Sequence, residues 1–196
     1  MPNGLLEKAR LSNIAADQAK LLADKLKLPI LTSGDLVRDA AANDRGIIGE
    51  VTRQALSEGK YVADSEMFVL WKWRLKEEDA KGGWIMDGFP RNVEQAKFLD
   101  DKIGKYGYTV EKVFYLDLPE EESLKRLIKR GRLLHEGSNQ LHDSPERIAE
   151  RLAIYKEGET DVLEYYRQKG VLFKINANQS IEDVHREILS HVNGTA

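Results

Sequence analysis

The stretch Asp87-Gly88-Phe89-Pro90-Arg91-Asn92-Val93-Glu94-Gln95 is the part of this chain best suited to chemistry. It follows a short apolar run, Trp84-Ile85-Met86, and leads into a helical pattern. Glycine lets a backbone approach a bound group closely, and the proline stiffens the turn that aims Arg91. An arginine offers a planar fork that matches phosphate oxygens in pairs. Gln95 comes four residues later, one helical turn on, so it can share a face with Arg91. Its amide suits the edge of a base. A plain strand-helix turn with a surface arginine would look the same, so this segment alone leaves both readings open.

A second group of arginines, Arg126, Arg130, Arg132, Arg147 and Arg151, surrounds a polar insert from Gly131 to His142. Arg147 and Arg151 are four apart and share a helix face. Phosphoryl transfer leaves charge on the equatorial oxygens of the moving group, and enzymes stabilise it with arginines and Mg²⁺. A solvated helix with surface ion pairs is the other reading. The four histidines (His135, His142, His185 and His191) show no metal-ligand spacing. The chain has no cysteine, which removes disulfide and thiol chemistry and fits a reducing, cytoplasmic setting. Its formal net charge of -3 argues against a general nucleic-acid or membrane-surface binder. No apolar run is long enough to span a bilayer, and no secretory signal follows Met1-Pro2-Asn3-Gly4.

The elements that must position these residues alternate between helix and strand. The spacing of apolar residues predicts a helix from Glu7 to Lys27, then a short strand Leu28 to Leu31 ending in Thr32-Ser33-Gly34-Asp35. Helical pattern runs from Leu36 to Ser57 with a break near Gly46. Asp64 or Ser65 can cap a helix reaching about Glu78. Trp84 to Met86 and Val113 to Leu116 read as buried strands, each followed by a helix, Val93 to Ile103 and Pro119 to Arg130. Ser144-Pro145-Glu146 opens a long helix through Tyr166, Val171 to Ile175 is the last strand, and Ser180 opens the last helix. This order implies an α/β fold: a parallel sheet covered by helices on both faces, three layers in all. In such sheets ligands bind beyond the carboxyl ends of the strands. Here those ends carry Ser33-Gly34-Asp35, Asp87-Gly88, Asp117 and Asn176, all small or polar.

The Asp87 to Arg91 segment resembles the DGFPR motif of adenylate kinases and other nucleoside monophosphate kinases. The resemblance extends to Thr32-Ser33-Gly34-Asp35-Leu36-Val37-Arg38, to Gly59-Lys60-Tyr61-Val62-Ala63-Asp64, to Val113–Pro119, to Arg147–Tyr155 and to Glu159–Tyr166. It implies a P-loop-kinase-like fold forming a single domain over residues 1–196, with a helical nucleotide-binding insert at about 34–65 and a short lid at about 131–143. It implies a kinase that moves the γ-phosphoryl of ATP to AMP with Mg²⁺ as cofactor, acting as a monomer on small nucleotides. Ser33, Gly34 and the Tyr61-Val62 backbone would then contact the acceptor's sugar or base. Gly88 and Gln95 would flank its base, Arg38 and Arg91 would hold its phosphate, and Asp87 would place Mg²⁺ through water. Arg91, Arg126, Arg130 and Arg151 fall where the family's catalytic arginines fall. Arg132 and Arg147 match less well, and Gln140 stands near where a further arginine is expected.

One part of the family pattern is missing. The donor loop G-x-x-x-x-G-K-[ST] surrounds phosphates with backbone amides and a lysine, and no such string occurs in this chain. Counting back from Gln18-Ala19-Lys20-Leu21-Leu22-Ala23, which matches the family's first helix, the loop falls on Ala9 to Asp17, a stretch without glycine or lysine. The strand before it is also poor: only Leu5-Leu6 is apolar, and Glu7-Lys8 is costly inside a sheet. Lys8 or Arg10 are the basic residues nearby. The alternative to a working kinase is therefore a catalytically impaired pseudoenzyme that keeps the AMP site.

Overall fold

Alternation of strand and helix holds along the computed structural model, which describes the backbone of residues 3–9, 13–131, 133, 139, 141 and 143–193. The strands are β1 (Asn3–Ala9), β2 (Ile30–Thr32), β3 (Trp84–Asp87), β4 (Thr109–Asp117) and β5 (Leu172–Asn176). Between and after them come α1 (Asn13–Leu26), α2 (Ser33–Asn43), α3 (Ile47–Glu58), α4 (Asp64–Arg74), α5 (Val93–Gly104), α6 (Glu120–Arg130), α7 (Pro145–Gln168) and α8 (Ile181–Asn193). The strands form one sheet in the order β2-β3-β1-β4-β5. Every pairing is parallel.

Side chains along a strand alternate between faces, and each face here has its own core. Trp84 and Met86 of β3 join Trp71, Leu99, Ile103 and Tyr166 on one side. Ile85, between them, joins Leu22, Phe114, Leu116, Val184 and Ile188 on the other. That division makes three layers, with α4, α5 and α7 on one face and α1 and α8 on the other. Burying an apolar side chain of this size stabilises by about 1.5–3 kcal/mol. An all-parallel sheet needs both faces covered, and the two cores supply that cover.

The register sets the site. Thr32 of β2 and Glu7 of β1 both stand opposite Asp87 of β3. The carboxyl ends of these neighbouring strands therefore lie abreast, and the chain leaves them into α2 and toward α5. Side chains close those helix starts. The Thr32 hydroxyl accepts from the Asp35 N–H at 3.0 Å. Asn92 Oδ1 accepts from the Gln95 N–H at 2.8 Å. Ser144 caps α7 and Pro145 occupies its first turn.

The structure corrects three expectations. Glu7, Lys8 and Ala9 are not helical but end β1, which occupies the middle of the sheet. The helix begins only at Asn13. A gap there would leave the inner edges of β3 and β4 without hydrogen-bond partners, and pairing on both sides outweighs the poor strand character of the sequence. Neither Asp64 nor Ser65 caps α4. The cap position is Ala63, without a side-chain bond, and the Asp64 carboxylate is turned to Asn92 and Gln95 instead. That helix also stops at Arg74, followed by a 3-10 turn at Glu78–Gly82 rather than by further α-helix.

Candidate active site

A cleft of about 680 Å³ opens at the carboxyl ends of β2 and β3. Ser33, Gly34, Arg38, Tyr61, Val62, Asp87, Gly88, Arg91, Gln95, Arg130 and Arg151 all line it. The structure thus gathers most of the residues singled out in the sequence around one space, from β3 and the turn after it, α2, α5, α6, α7 and the segment before α4.

The β3–α5 turn is its floor. Gly88 has φ 76°, in the left-handed region that favours glycine. Its carbonyl accepts from the Ser33 hydroxyl at 2.9 Å and from Arg91 Nε at 2.9 Å. One carbonyl thereby ties the start of α2 to Arg91. The Arg91 guanidinium also lies over the Tyr61 ring, 4.1 Å from its centroid. Held at Nε and on one face, the group has its terminal nitrogens set for an anion. Arg38 is paired with Asp35 at 2.7 Å on the exposed rim. Burial alone would raise the Asp35 carboxyl, but the Thr32 hydroxyl and Arg38 hold it below the usual carboxylate range. Burial pushes the Asp87 carboxyl up. Arg91 and the Gly88 N–H offset part of that rise, and Asp35 adds to it.

The arginines of α6 and α7 meet at one acid. Arg130 reaches Asp143 through Nε (2.7 Å) and NH2 (2.8 Å), and Arg151 NH2 reaches it at 2.9 Å. The Asp143 side chain is wholly buried. Arg151 Nε also donates to the Arg147 carbonyl at 3.3 Å, which is the outcome of their four-residue spacing. Arg147 and Arg126 do not line the cleft, and Arg126 is paired with Glu122 at 2.7 Å. Arg132 lies outside the described residues.

Three contributors escaped the sequence reading of the site. Asp143 directly follows the polar insert and has no place in the site on the sequence alone, although an acid just before a Ser-Pro helix start is well placed to meet Arg151 two turns along. Asp64 looked like a helix cap. Asn92 was passed over although it both caps α5 and binds Asp64 at 2.8 Å. Where a donor loop was expected, Asn13 to Asp17 are instead the first turns of α1, and only residues 10–12 separate it from β1. Ala15, Ala16, Ala19 and Lys20 face the cleft there.

Parallel three-layer architecture, a crevice at the strand ends and converging arginines define an α/β phosphotransferase of the nucleoside monophosphate kinase class. A sequence model of adenylate kinases matches residues 15–171, beginning just past the β1–α1 connection. Adenylate kinase 1 of Synechocystis sp. is 34% identical over 184 residues, covering 94% of each chain. Adenylate kinase 1 of Nostoc sp. is 36% identical, covering 87% of this chain and 88% of the relative. The adenylate kinase of Thermobifida fusca is 33% identical, covering 91% and 92%. The chain belongs to the adenylate kinase family. Nothing in these comparisons favours the impaired alternative.

Proposed function

We propose that the protein transfers the γ-phosphoryl group of ATP to AMP, yielding two molecules of ADP. The observation that carries the acceptor half is Arg91, braced by Gly88 O and Tyr61 in a cleft that Arg38 and Gln95 share. Arg38 would leave Asp35, an exposed pair of little net value, to join Arg91 on the acceptor phosphate. Gln95 and Gly88 would flank the base, and Ser33, Gly34 and the Tyr61-Val62 backbone would contact the sugar or base.

In the transfer step an AMP phosphate oxygen attacks the γ-phosphorus, and the bond from that phosphorus to the β-bridging oxygen breaks. The acceptor oxygen carries no proton that must be removed, so no general base is required. The task left to the protein is to neutralise charge and exclude water. Arg130 and Arg151 stand in the cleft with their forks aligned by buried Asp143. Arg126 would have to leave Glu122 to join them. Arg132 and Arg147 would serve the lid, which we place at about 131–143.

Mg²⁺ accompanies ATP in this family, and the donor set fits it. A hydrated Mg²⁺ on a polyphosphate needs only one or two carboxylates, and Asp87 is a carboxylate in the cleft whose burial makes its charge costly without a cation. Asp87 would hold the ion through water, and the ion would neutralise phosphate charge. A monomer working in the cytoplasm is the setting we infer. No described helix is long and apolar enough to cross a membrane.

The test is ADP formation from ATP, AMP and Mg²⁺ by purified protein, with an Arg91→Ala variant purified in parallel against contaminating host kinase. AMP-dependent ADP formation that disappears in the variant supports the assignment. Equal rates in both preparations contradict it.

A further inference from the structure

The Gln95 amide is held at both ends before any nucleotide arrives. Gln95 is only 5% exposed. Its Oε1 accepts from the Arg91 backbone N–H at 2.7 Å, and its Nε2 donates to Asp64 Oδ1 at 2.5 Å. The other Asp64 oxygen accepts from Asn92 Nδ2 at 2.8 Å, and Asn92 Oδ1 accepts from the Gln95 N–H at 2.8 Å. Gln95, Asp64 and Asn92 thus form a closed ring of hydrogen bonds, with the Arg91 N–H attached to it at Gln95 Oε1, and all three line the cleft.

An amide is nearly symmetric in shape, and what it recognises depends on which end donates. Here the order is fixed by chemistry. A backbone N–H can only donate, and a carboxylate can only accept. Rotating the Gln95 amide by half a turn would set N–H against N–H and oxygen against carboxylate. Each anchor uses one hydrogen of Nε2 or one lone pair of Oε1. One N–H and one lone pair are left side by side in a fixed order. A 6-aminopurine edge offers an acceptor at N1 beside a donor at N6, which this pair complements in one pose. A 6-oxopurine edge offers a donor at N1 beside an acceptor at O6, which in the same pose needs the amide reversed.

We propose that Asp64 is a positioning residue that sets acceptor-base specificity by locking the orientation of the Gln95 amide. This rests on the AMP-site reading above. Asp64 acts through Gln95, and its own contacts remain with Gln95 and Asn92. Without the lock, the Arg91 N–H alone orients the amide, and the penalty for a reversed amide falls to one mismatched bond.

The experiment is calorimetric titration of wild type, Asp64→Ala and Gln95→Ala with AMP and with IMP, which differ only along the N1–C6 edge of the purine. Wild type is expected to bind AMP at least about tenfold tighter than IMP. In Asp64→Ala, AMP affinity should fall about tenfold while IMP affinity stays within about twofold, and Gln95→Ala should lose the same discrimination. If Asp64→Ala does not fold, Asp64→Asn replaces it. An amide of the same size accepts at one end only, so the AMP:IMP ratio should still fall at least about threefold. Equal losses of both ligands, with the ratio kept, would overturn the proposal in favour of a purely structural role. Wild type binding AMP and IMP alike would overturn it while leaving the acceptor site intact. Wild type binding neither would remove the acceptor reading and this proposal together.

Discussion

At the scale of single residues, the site is a set of side chains held in place by their neighbours. Arg91 is the clearest case, braced at Nε by a carbonyl and on its face by an aromatic ring. Arg91→Ala removes charge-assisted bonds to phosphate, so AMP affinity should fall by about 1.5–3 kcal/mol, roughly 10- to 150-fold, with the fold intact. Titration calorimetry with AMP reads this directly. Asp87 should behave in the opposite sense. Burial pushes its carboxyl up and Arg91 offsets only part of that rise, so Asp87→Asn should raise the thermal midpoint at pH 7 while lowering kcat, as an incompletely compensated desolvated charge is a cost to the fold. A lower midpoint in Asp87→Asn would show that the carboxylate is well compensated after all. The sequence named these chemical residues because their types are few and their motif is local. It did not name Asp143, Asp64 or Asn92 as site members, because their roles come from bonds between segments far apart in the chain, such as Gln95 to Asp64.

At the scale of elements, α7 matters beyond the arginine it carries. An added Cβ at Gly158 would lie 2.4 Å from the Arg91 carbonyl oxygen. Helix and loop touch there backbone to backbone, and Arg91 is supported from behind. Gly158→Ala should cost about 1–3 kcal/mol by overpacking and should weaken AMP binding, whereas Gly104→Ala, with open space around it, should leave binding unchanged. Denaturant melts and AMP titrations of the pair decide this. Near its other end, α7 is tied to α5 by the Tyr165 hydroxyl, which donates to Asp100 at 2.7 Å, with Lys169 also paired to Asp100. Burial and the Asp100 charge push Tyr165 from 10.0 up to about 12. A raised pKa means that this stabilisation is complete below about pH 10 and is lost as pH rises toward about 12. Tyr165→Phe should therefore be about 1–2 kcal/mol less stable at pH 7. The gap to wild type should close across that alkaline window, as read by urea melts at several pH values. Most of these helices were visible in the apolar spacing and cap residues of the sequence. The ends of α4 and the nature of Glu7–Ala9 were not, because local propensity there is overridden by a carboxylate's distant partners and by the sheet's need for a central strand.

At the scale of the whole molecule, the two halves of the cleft are unequal. The acceptor half has braced arginines, an oriented amide and a fixed turn. At the donor side, residues 10–12 alone connect β1 to α1, and the cleft there is lined by Ala15, Ala16, Ala19 and Lys20. A nest of backbone amides with a lysine normally does much of the work of holding a polyphosphate. ATP should therefore bind this chain less tightly than AMP does. AMP at a hundred times its dissociation constant should stabilise the fold by about 2.7 kcal/mol, roughly 5–10 °C in thermal midpoint for a chain of this size. ATP at the same concentration should shift it less. The missing loop was readable from the sequence as an absence. That β1 nevertheless completes the sheet was not, because only pairing with β3 and β4 makes a strand of that segment.

The central claim is that this cleft passes a phosphoryl group from one nucleotide to another and not to water. The measurement that meets it most directly follows the fate of label from ATP labelled at the γ-phosphate, with AMP and Mg²⁺ present, for wild type and Arg91→Ala side by side. The account predicts label in the β-phosphate of ADP, dependent on AMP, at least about tenfold above the variant, with little released as inorganic phosphate. Label that stays in ATP, or that appears only as inorganic phosphate whether or not AMP is added, would contradict it.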